Sequence, residues 1–278
     1  MRTLVHLSDL HFGKVDDALL GPLHDLVHKI APDVVVVSGD LTQRAKSEEF
    51  EQAKVWLDTL PGPQIMVPGN HDISLYNVFR RFLQPLTRYK RYITDDLNPL
   101  FIDEEIAVLG INTARSLTIK DGRVNQEQVD KIKQELCALD KSITRIIVTH
   151  HPFDLPEHED DRDLVDRAPM AMKAFADCGI DLLLSGHMHT SRAGDTSGRY
   201  QMSEYAALVV QAGTATSTRA RGEVNSFNVV RVEHDRVEVD RYGWDEVGKQ
   251  FSLMKTEPFL RRGNVWSAHT EGLMAIGL

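Results

Sequence analysis

The sequence predicts an α/β fold built on a parallel sheet, from three observations. Apolar β-type runs alternate with helix-patterned segments from the N-terminus to about residue 190, the grammar of parallel strands joined by right-handed crossovers. The run Val34-Val35-Val36-Val37 is apolar on both faces, as buried parallel strands are. Several runs stop at a polar loop, and open α/β folds build their sites at the carboxyl ends of strands.

In chain order, Thr3–Leu7 reads as a strand ending at Ser8-Asp9-Leu10-His11-Phe12-Gly13. A helix follows from about Asp17 to Ile30, with Leu20, Leu23, Val27 and Ile30 on one face. The strand over 33–37 ends at Ser38-Gly39-Asp40. Ser47 is the expected N-cap of the next helix, with Glu48 and Glu49 in its first turn and Phe50, Ala53, Leu57 and Leu60 as its apolar stripe. The run Ile65-Met66-Val67 breaks at Pro68-Gly69 and delivers Asn70-His71-Asp72. Residues 75–95 are helical in pattern, aromatic and basic: a lid over a site, or a helix with a solvated basic face. Strands at about 100–103 and 106–111 lead to Asn112, Thr113 and Arg115. A helix over 126–139 opens with a capping box from Asn125 and Gln128. Thr144–Val148 ends at Thr149-His150-His151-Pro152, before an acidic loop that reads as a solvated excursion. A helix over 169–178 and a strand over 180–184 lead into Ser185-Gly186-His187-Met188-His189. Beyond Thr190, strands at about 205–211, 226–232 and 236–242 follow without helices and read as antiparallel sheet completing the core. Residues 1–243 are taken as one domain; 244–278 are weakly patterned, an extension packing on the body or at the interface of a homodimer.

The 278 residues are 42% hydrophobic and 26% charged, ordinary values for a globular protein with a proper core. A net charge of −9 argues against nucleic acid or an anionic membrane as partner. An anionic substrate would need local positive charge, such as bound metal ions. Cys137 and Cys178 lack zinc-type or CxxC spacing and are expected to be buried free thiols in a reducing compartment. The N-terminus reads as a strand rather than a signal peptide, and no apolar run is long enough to span a bilayer. The expected location is cytoplasmic.

Five strand ends carry possible ligands: Asp9 and His11, Asp40, Asn70, His150, and His187 with His189. If the strands run parallel in one sheet, the seven groups converge on one edge, too many for one ion and suited to two. Carboxylate, amide and imidazole without thiolate suit Mn, Fe, Zn or Co, and fit calcium or a structural zinc poorly. Asp40, with two oxygens, can bridge the pair. Two such ions roughly 3.5–4 Å apart activate a bridging water for in-line attack on phosphorus. His71, not needed as a ligand, is free to contact a phosphoryl oxygen or protonate the leaving oxygen, with Asp72 expected to fix its tautomer.

These motifs resemble the calcineurin-like metallophosphoesterases: Asp9-Leu10-His11, Gly39-Asp40, Gly69-Asn70-His71-Asp72, His150-His151-Pro152 and Gly186-His187-Met188-His189, spanning residues 9–189. The resemblance implies a four-layer α-β-β-α sandwich with two mixed central sheets. It implies one metal on Asp9, His11, Asp40 and His189, a second on Asp40, Asn70, His150 and His187, and His71 as catalytic histidine. His151 is then a neighbour of the metal ligands or a substrate-side residue. Gly213-Thr214-Ala215-Thr216-Ser217 and Asn225-Ser226-Phe227-Asn228 resemble the class III cyclic-nucleotide phosphodiesterases. Arg219 and Arg221, and less so Arg115, are candidate phosphate clamps. The expected function is therefore a binuclear phosphodiesterase acting on a small phosphodiester, such as a 3′,5′-cyclic nucleotide, by attack of a metal-bridging hydroxide. The alternatives are a phosphomonoesterase or nuclease on the same scaffold, and a non-catalytic metal-bound scaffold.

Overall fold

A computed structural model describes residues 1–74, 82–115, 121–156, 161–218 and 222–269. In chain order the first half holds β1 (Arg2–Leu7), α1 (Asp17–Ile30), β2 (Val34–Val37), α2 (Ser47–Leu57), β3 (Gln64–Met66), α3 (Thr87–Tyr92), β4 (Leu100–Ile102) and β5 (Ile106–Gly110). The second half holds α4 (Gln126–Leu136), β6 (Thr144–Val148), α5 (Ala168–Cys178), β7 (Leu182–Ser185), β8 (Arg192–Asp195), β9 (Leu208–Gln211), β10 (Ser226–Glu233), β11 (Arg236–Asp245), β12 (Gln250–Arg262) and β13 (Val265–Ala268).

The strands form two mixed sheets, ordered β13-β12-β11-β10-β1-β2-β3 and β4-β5-β6-β7-β9-β8. Successive side chains of a strand point to opposite faces, and the burial follows that rule. Leu4, Val34, Val36 and Ile65 of the first sheet meet Val108, Ile146, Val148 and Leu184 of the second in a core between the sheets. The alternate residues Val5, Leu7, Val35 and Val37 pack outward on Leu19, Leu23 and Val27 of α1 and Phe50, Ala53 and Leu57 of α2. Leu109, Ile147 and Leu183 pack outward on Val129 and Ile132 of α4 and Met172 and Phe175 of α5. Three apolar interfaces separate four layers, which is why the strands are apolar on both faces.

The structure differs from several expectations. The two mixed sheets are those the family resemblance implies, and only the simpler picture of all parallel strands in one sheet gives way. β9 pairs parallel with β7 and antiparallel with β8, within the second mixed sheet, while β10 and β11 are antiparallel as expected. Ser47 is not the N-cap but the first helical residue, because the carboxylate of Glu49 already takes the backbone N–H groups of Lys46 and Arg44. The weakly patterned tail contains the longest strand, β12, which extends the first sheet with β13. The two cysteines are not free: Cys137, capping α4, is joined to Cys178, at the end of α5, by a disulfide. The argument for a reducing compartment falls with that pairing. Of the segment 75–95, residues 75–81 lie outside the described residues, and α3 buries Tyr89 while Arg88 donates to the carbonyl of Ala45. No described helix is long and apolar enough to cross a membrane.

Candidate metal centre

The loops after β1 and β2 are laced together by their backbones. Asp9 donates to the Gly39 carbonyl (3.1 Å), His11 to Asp40 (2.9 Å) and Phe12 to Leu41 (2.8 Å). These bonds need an unusual chain path. Asp9, His11 and Asp40 have φ of 55°, 51° and 53°, and His187 and His189, in the loop after β7, have 72° and 61°. Five of the seven expected ligands thus sit in the left-handed region, which costs a side-chain-bearing residue about 1–2 kcal/mol each. Such strain persists only where the surroundings over-determine it, and it clusters at functional sites.

The seven groups come together across both sheets. Asp40 turns Oδ2 toward His11 Nε2 (3.7 Å) and Oδ1 toward His150 Nε2 (3.4 Å). Asp9 Oδ1 faces His11 Nε2 at 3.5 Å and His189 Nε2 at 3.7 Å. On the other side His150 Nε2, Asn70 Oδ1 and His187 Nδ1 lie 3.1–3.3 Å from one another. Two close approaches hold the geometry. A Cβ on Gly69 would sit 2.1 Å from Asp40 Oδ1, and one on Gly186 would sit 1.8 Å from Ser8 Oγ, whose hydroxyl binds Asp9.

These side chains fit a pair of cations. Asp9 Oδ1 and His11 Nε2 are buried without a hydrogen-bond partner, an expensive state unless a cation takes a lone pair from each. His150 Nδ1 lies 2.8 Å from the Ser38 carbonyl, a contact only an N–H can make, so in the neutral ring Nε2 presents a lone pair to its neighbours. Burial opposes charge on His150, yet Asp40 beside it pushes its pKa up to about 9; a cation would take that proton's place. Burial would raise Asp40, but His150, His71 and His11 hold it well below the usual carboxylate range. Burial, and then the charge of His150, lowers His187 to about 3, leaving a neutral ring suited to a metal.

His71 stands over this edge, its ring centroid 5.0 Å from that of His11 and its backbone N–H on Asp40 Oδ1. Its tautomer is set differently from the expectation. Nδ1 donates to the backbone carbonyl of Gln43 (2.9 Å), not to Asp72. The Asp72 carboxylate instead accepts from Leu41 N, Thr42 N, Thr42 Oγ1 and Gly69 N. It ties the loop after β2 to the loop after β3. Burial, and then the nearby Asp40, pushes Asp72 up to about 6.

His151 is buried, with Nδ1 2.8 Å from Thr113 Oγ1 and its ring 4.6 Å from that of His187. Arg115 is not turned toward the centre: its guanidinium donates to the carbonyls of Asn112 and Ala114 and to Gln128 Oε1. Arg219 and Arg221 lie outside the described residues. Three groups escaped the sequence reading. Thr214 binds His189 Nδ1 (2.8 Å), the Ser38 carbonyl orients His150, and the Gln43 carbonyl orients His71. Thr214 had a signal, its place in the Gly213–Ser217 turn. The two carbonyls have none, because any residue carries one.

Residues 2–191 match the family model for calcineurin-like phosphoesterases. A 124-residue stretch is 34% identical to the glycerophosphodiester phosphodiesterase GpdQ of Enterobacter lignolyticus, covering 37% of this chain and 44% of that one. The match therefore spans less than half the length of this relative. The chain is 22% identical over 211 residues to the 3′,5′-cyclic adenosine monophosphate phosphodiesterase CpdA of Escherichia coli, covering 70% and 72%. Its fold is similar to that of purple acid phosphatase PPD1 from yellow lupin seeds, with a TM-score of 0.68 at 12% identity, over 92% of this chain and 53% of that one.

Proposed function

We propose, from the premise that this chain belongs to the calcineurin-like phosphoesterase family, that it is a metal-dependent phosphodiesterase acting on a small phosphodiester. One cation falls to Asp9, His11, Asp40 and His189, and the other to Asp40, Asn70, His150 and His187. The observation that carries this reading is the split of Asp40, one oxygen toward each set. Bound there, two divalent cations supply Lewis acidity, activating water and neutralising phosphoryl charge.

The protein's own groups do the rest. The Ser38 carbonyl holds His150 by Nδ1, so Nε2 faces the second set. Thr214 steadies His189 by the same nitrogen. The Gln43 carbonyl takes the Nδ1 proton of His71, so that in the imidazolium form the second proton, on Nε2, is the one given to the leaving oxygen. A general acid so placed is worth about 10²–10⁴ in rate. Among small diesters, 3′,5′-cyclic nucleotides and glycerophosphodiesters are the substrates this reading favours, because they are the classes its relatives are named for.

The test is to purify the protein, measure bound Mn, Fe, Zn and Co, and compare bis(p-nitrophenyl) phosphate with p-nitrophenyl phosphate. The reading requires bound metal and a faster diester reaction. No turnover with any metal would leave a scaffold, and preference for the monoester would leave a phosphomonoesterase. Full activity in a metal-loaded His71→Ala protein would remove His71 from the reaction.

A further inference from the structure

His71 is aimed by a backbone carbonyl, so whatever fixes that carbonyl aims the histidine. The Gln43 carbonyl sits in the turn over residues 42–46, which joins β2's loop to α2. Two side chains and a backbone bond hold this turn. The buried Glu49 carboxylate accepts from Arg44 N (2.7 Å) and Lys46 N (3.3 Å) with one oxygen, Oε2. Thr42 Oγ1 accepts from Ala45 N (3.2 Å) and donates to Asp72 Oδ1 (2.9 Å). On the far side Gln43 N donates to the Phe12 carbonyl (2.9 Å). The next residue, Gly13, leaves no room beside Glu49: a Cβ there would lie 2.7 Å from Oε1. Glu49 touches no metal-ligand side chain among these contacts, and nothing about a helix's first turn requires its carboxylate to be buried.

We propose that Glu49 is a positioning residue for the reaction, holding the 42–46 turn so that the Gln43 carbonyl binds the Nδ1–H of His71 and the Nε2–H of the imidazolium is turned toward the leaving oxygen. Thr42 is its partner in the same turn. The inference rests on the phosphodiesterase reading, but its signature is separable. A general acid matters most when the leaving oxygen is basic. Disturbing its aim therefore slows poor leaving groups and spares good ones, whereas general damage to the fold or metals slows both alike.

The experiment uses the full chain loaded with Mn, in wild type, Glu49→Leu, Glu49→Gln and Thr42→Val. Each is assayed on methyl p-nitrophenyl phosphate and methyl phenyl phosphate. For Glu49→Leu, kcat on the phenyl ester is expected to fall about 10- to 100-fold. On the nitrophenyl ester it falls less than about 3-fold, with KM and metal content unchanged, because the nitrophenolate leaves with little help. Glu49→Gln keeps an oxygen that can accept both N–H groups and restores the phenyl ester rate. Thr42→Val reproduces the same selective loss and carries the test should Glu49→Leu not fold. An equal fall on both esters, or no fall, overturns the proposal. A second readout needs no turnover. In the zinc-loaded protein, at a pH where the ring is neutral, long-range ¹H–¹⁵N correlation of the His71 ring should show the proton on Nδ1 in wild type and a tautomer mixture in Glu49→Leu. An unchanged His71 tautomer overturns the proposal even if the wild type cleaves no diester, an outcome that would instead count against the phosphodiesterase reading.

Discussion

The metal-centre edge and the β11–β12–β13 arm are held by opposite means. At the metal-centre edge the backbone is forced into left-handed turns, the side chains are buried, and each loop is bonded to the next. In the arm the strands are regular and long, and most of β12 faces solvent; only Phe251 and Phe259 along it are buried. Backbone pairing to β11 holds the arm, with one register shift between Arg241 and Tyr242. A small steric change should therefore be ruinous at the edge and absorbed in the arm.

The largest effect is expected at Gly69. A methyl there meets Asp40 Oδ1 at 2.1 Å and the backbone nitrogen of Asp40 at 2.4 Å. Neither can retreat without moving the Asp40 carboxylate. Gly69→Ala should lose most of its bound metal, with activity down at least about 10³-fold and stability down by about 3 kcal/mol, the upper range for overpacking. Elemental analysis and thermal unfolding check it. The metal-dependent gain in Tm expected of wild type, which follows from binding only the folded state, should vanish with it.

Next comes the disulfide, which sits among the outer helices, away from the metal centre. Cys137 and Cys178 are 41 residues apart, and closing a loop of that length is worth about 2–4 kcal/mol. Reduction or Cys137→Ser should lower stability by that amount and leave metal content and kcat intact. Unreduced peptide mapping should show the two peptides linked.

Smaller still is a pH effect at His6, a buried ring on Ser38 Oγ (2.9 Å). Burial, opposed by Asp9, lowers its pKa to about 3 from 6.5. Below pH 6.5 the unfolded chain takes up a proton here that the folded chain refuses. Stability is therefore full above pH 6.5 and lost as pH falls toward about 3. Between pH 7.5 and 5 the loss is about 2 kcal/mol. Urea unfolding of metal-saturated His6→Gln should show that much less pH dependence than wild type.

The same contrast decides what the sequence could reveal. The convergence of the seven candidate ligands was legible because their chemistry is rare and each follows a buried apolar run. The strands were legible for the same reason: Val34–Val37 and Thr144–Val148 face apolar layers on both sides. β12 was not, because solvent on its faces removes the alternation that marks a strand, and Pro258 within it reads as a breaker. The division into two sheets came from the family resemblance and not from the strands, since a strand's own sequence does not name its neighbours. The aim of His71 was misassigned to Asp72 because a side chain was sought where a carbonyl does the work. The free-thiol reading failed because Cys137 and Cys178 meet only through the packing of two helices.

The sharpest comparison is Gly243→Ala in the arm. A methyl there meets Met254 Sδ at 2.0 Å, as close as the clash at Gly69. The distance is the same and the neighbour is not. Met254 is 56% exposed, and its unbranched side chain can swing into water with little loss. Its next contact, a Val224 methyl at 3.1 Å, belongs to a residue that is itself 45% exposed. Gly243→Ala should therefore cost less than about 1 kcal/mol, partly offset by the lower entropy of the unfolded chain, with metal content and kcat unchanged. Thermal unfolding beside Gly69→Ala reads the difference directly. Should Gly243→Ala unfold the protein as readily as Gly69→Ala, the arm is as over-determined as the metal-centre edge, and the contrast between them is wrong.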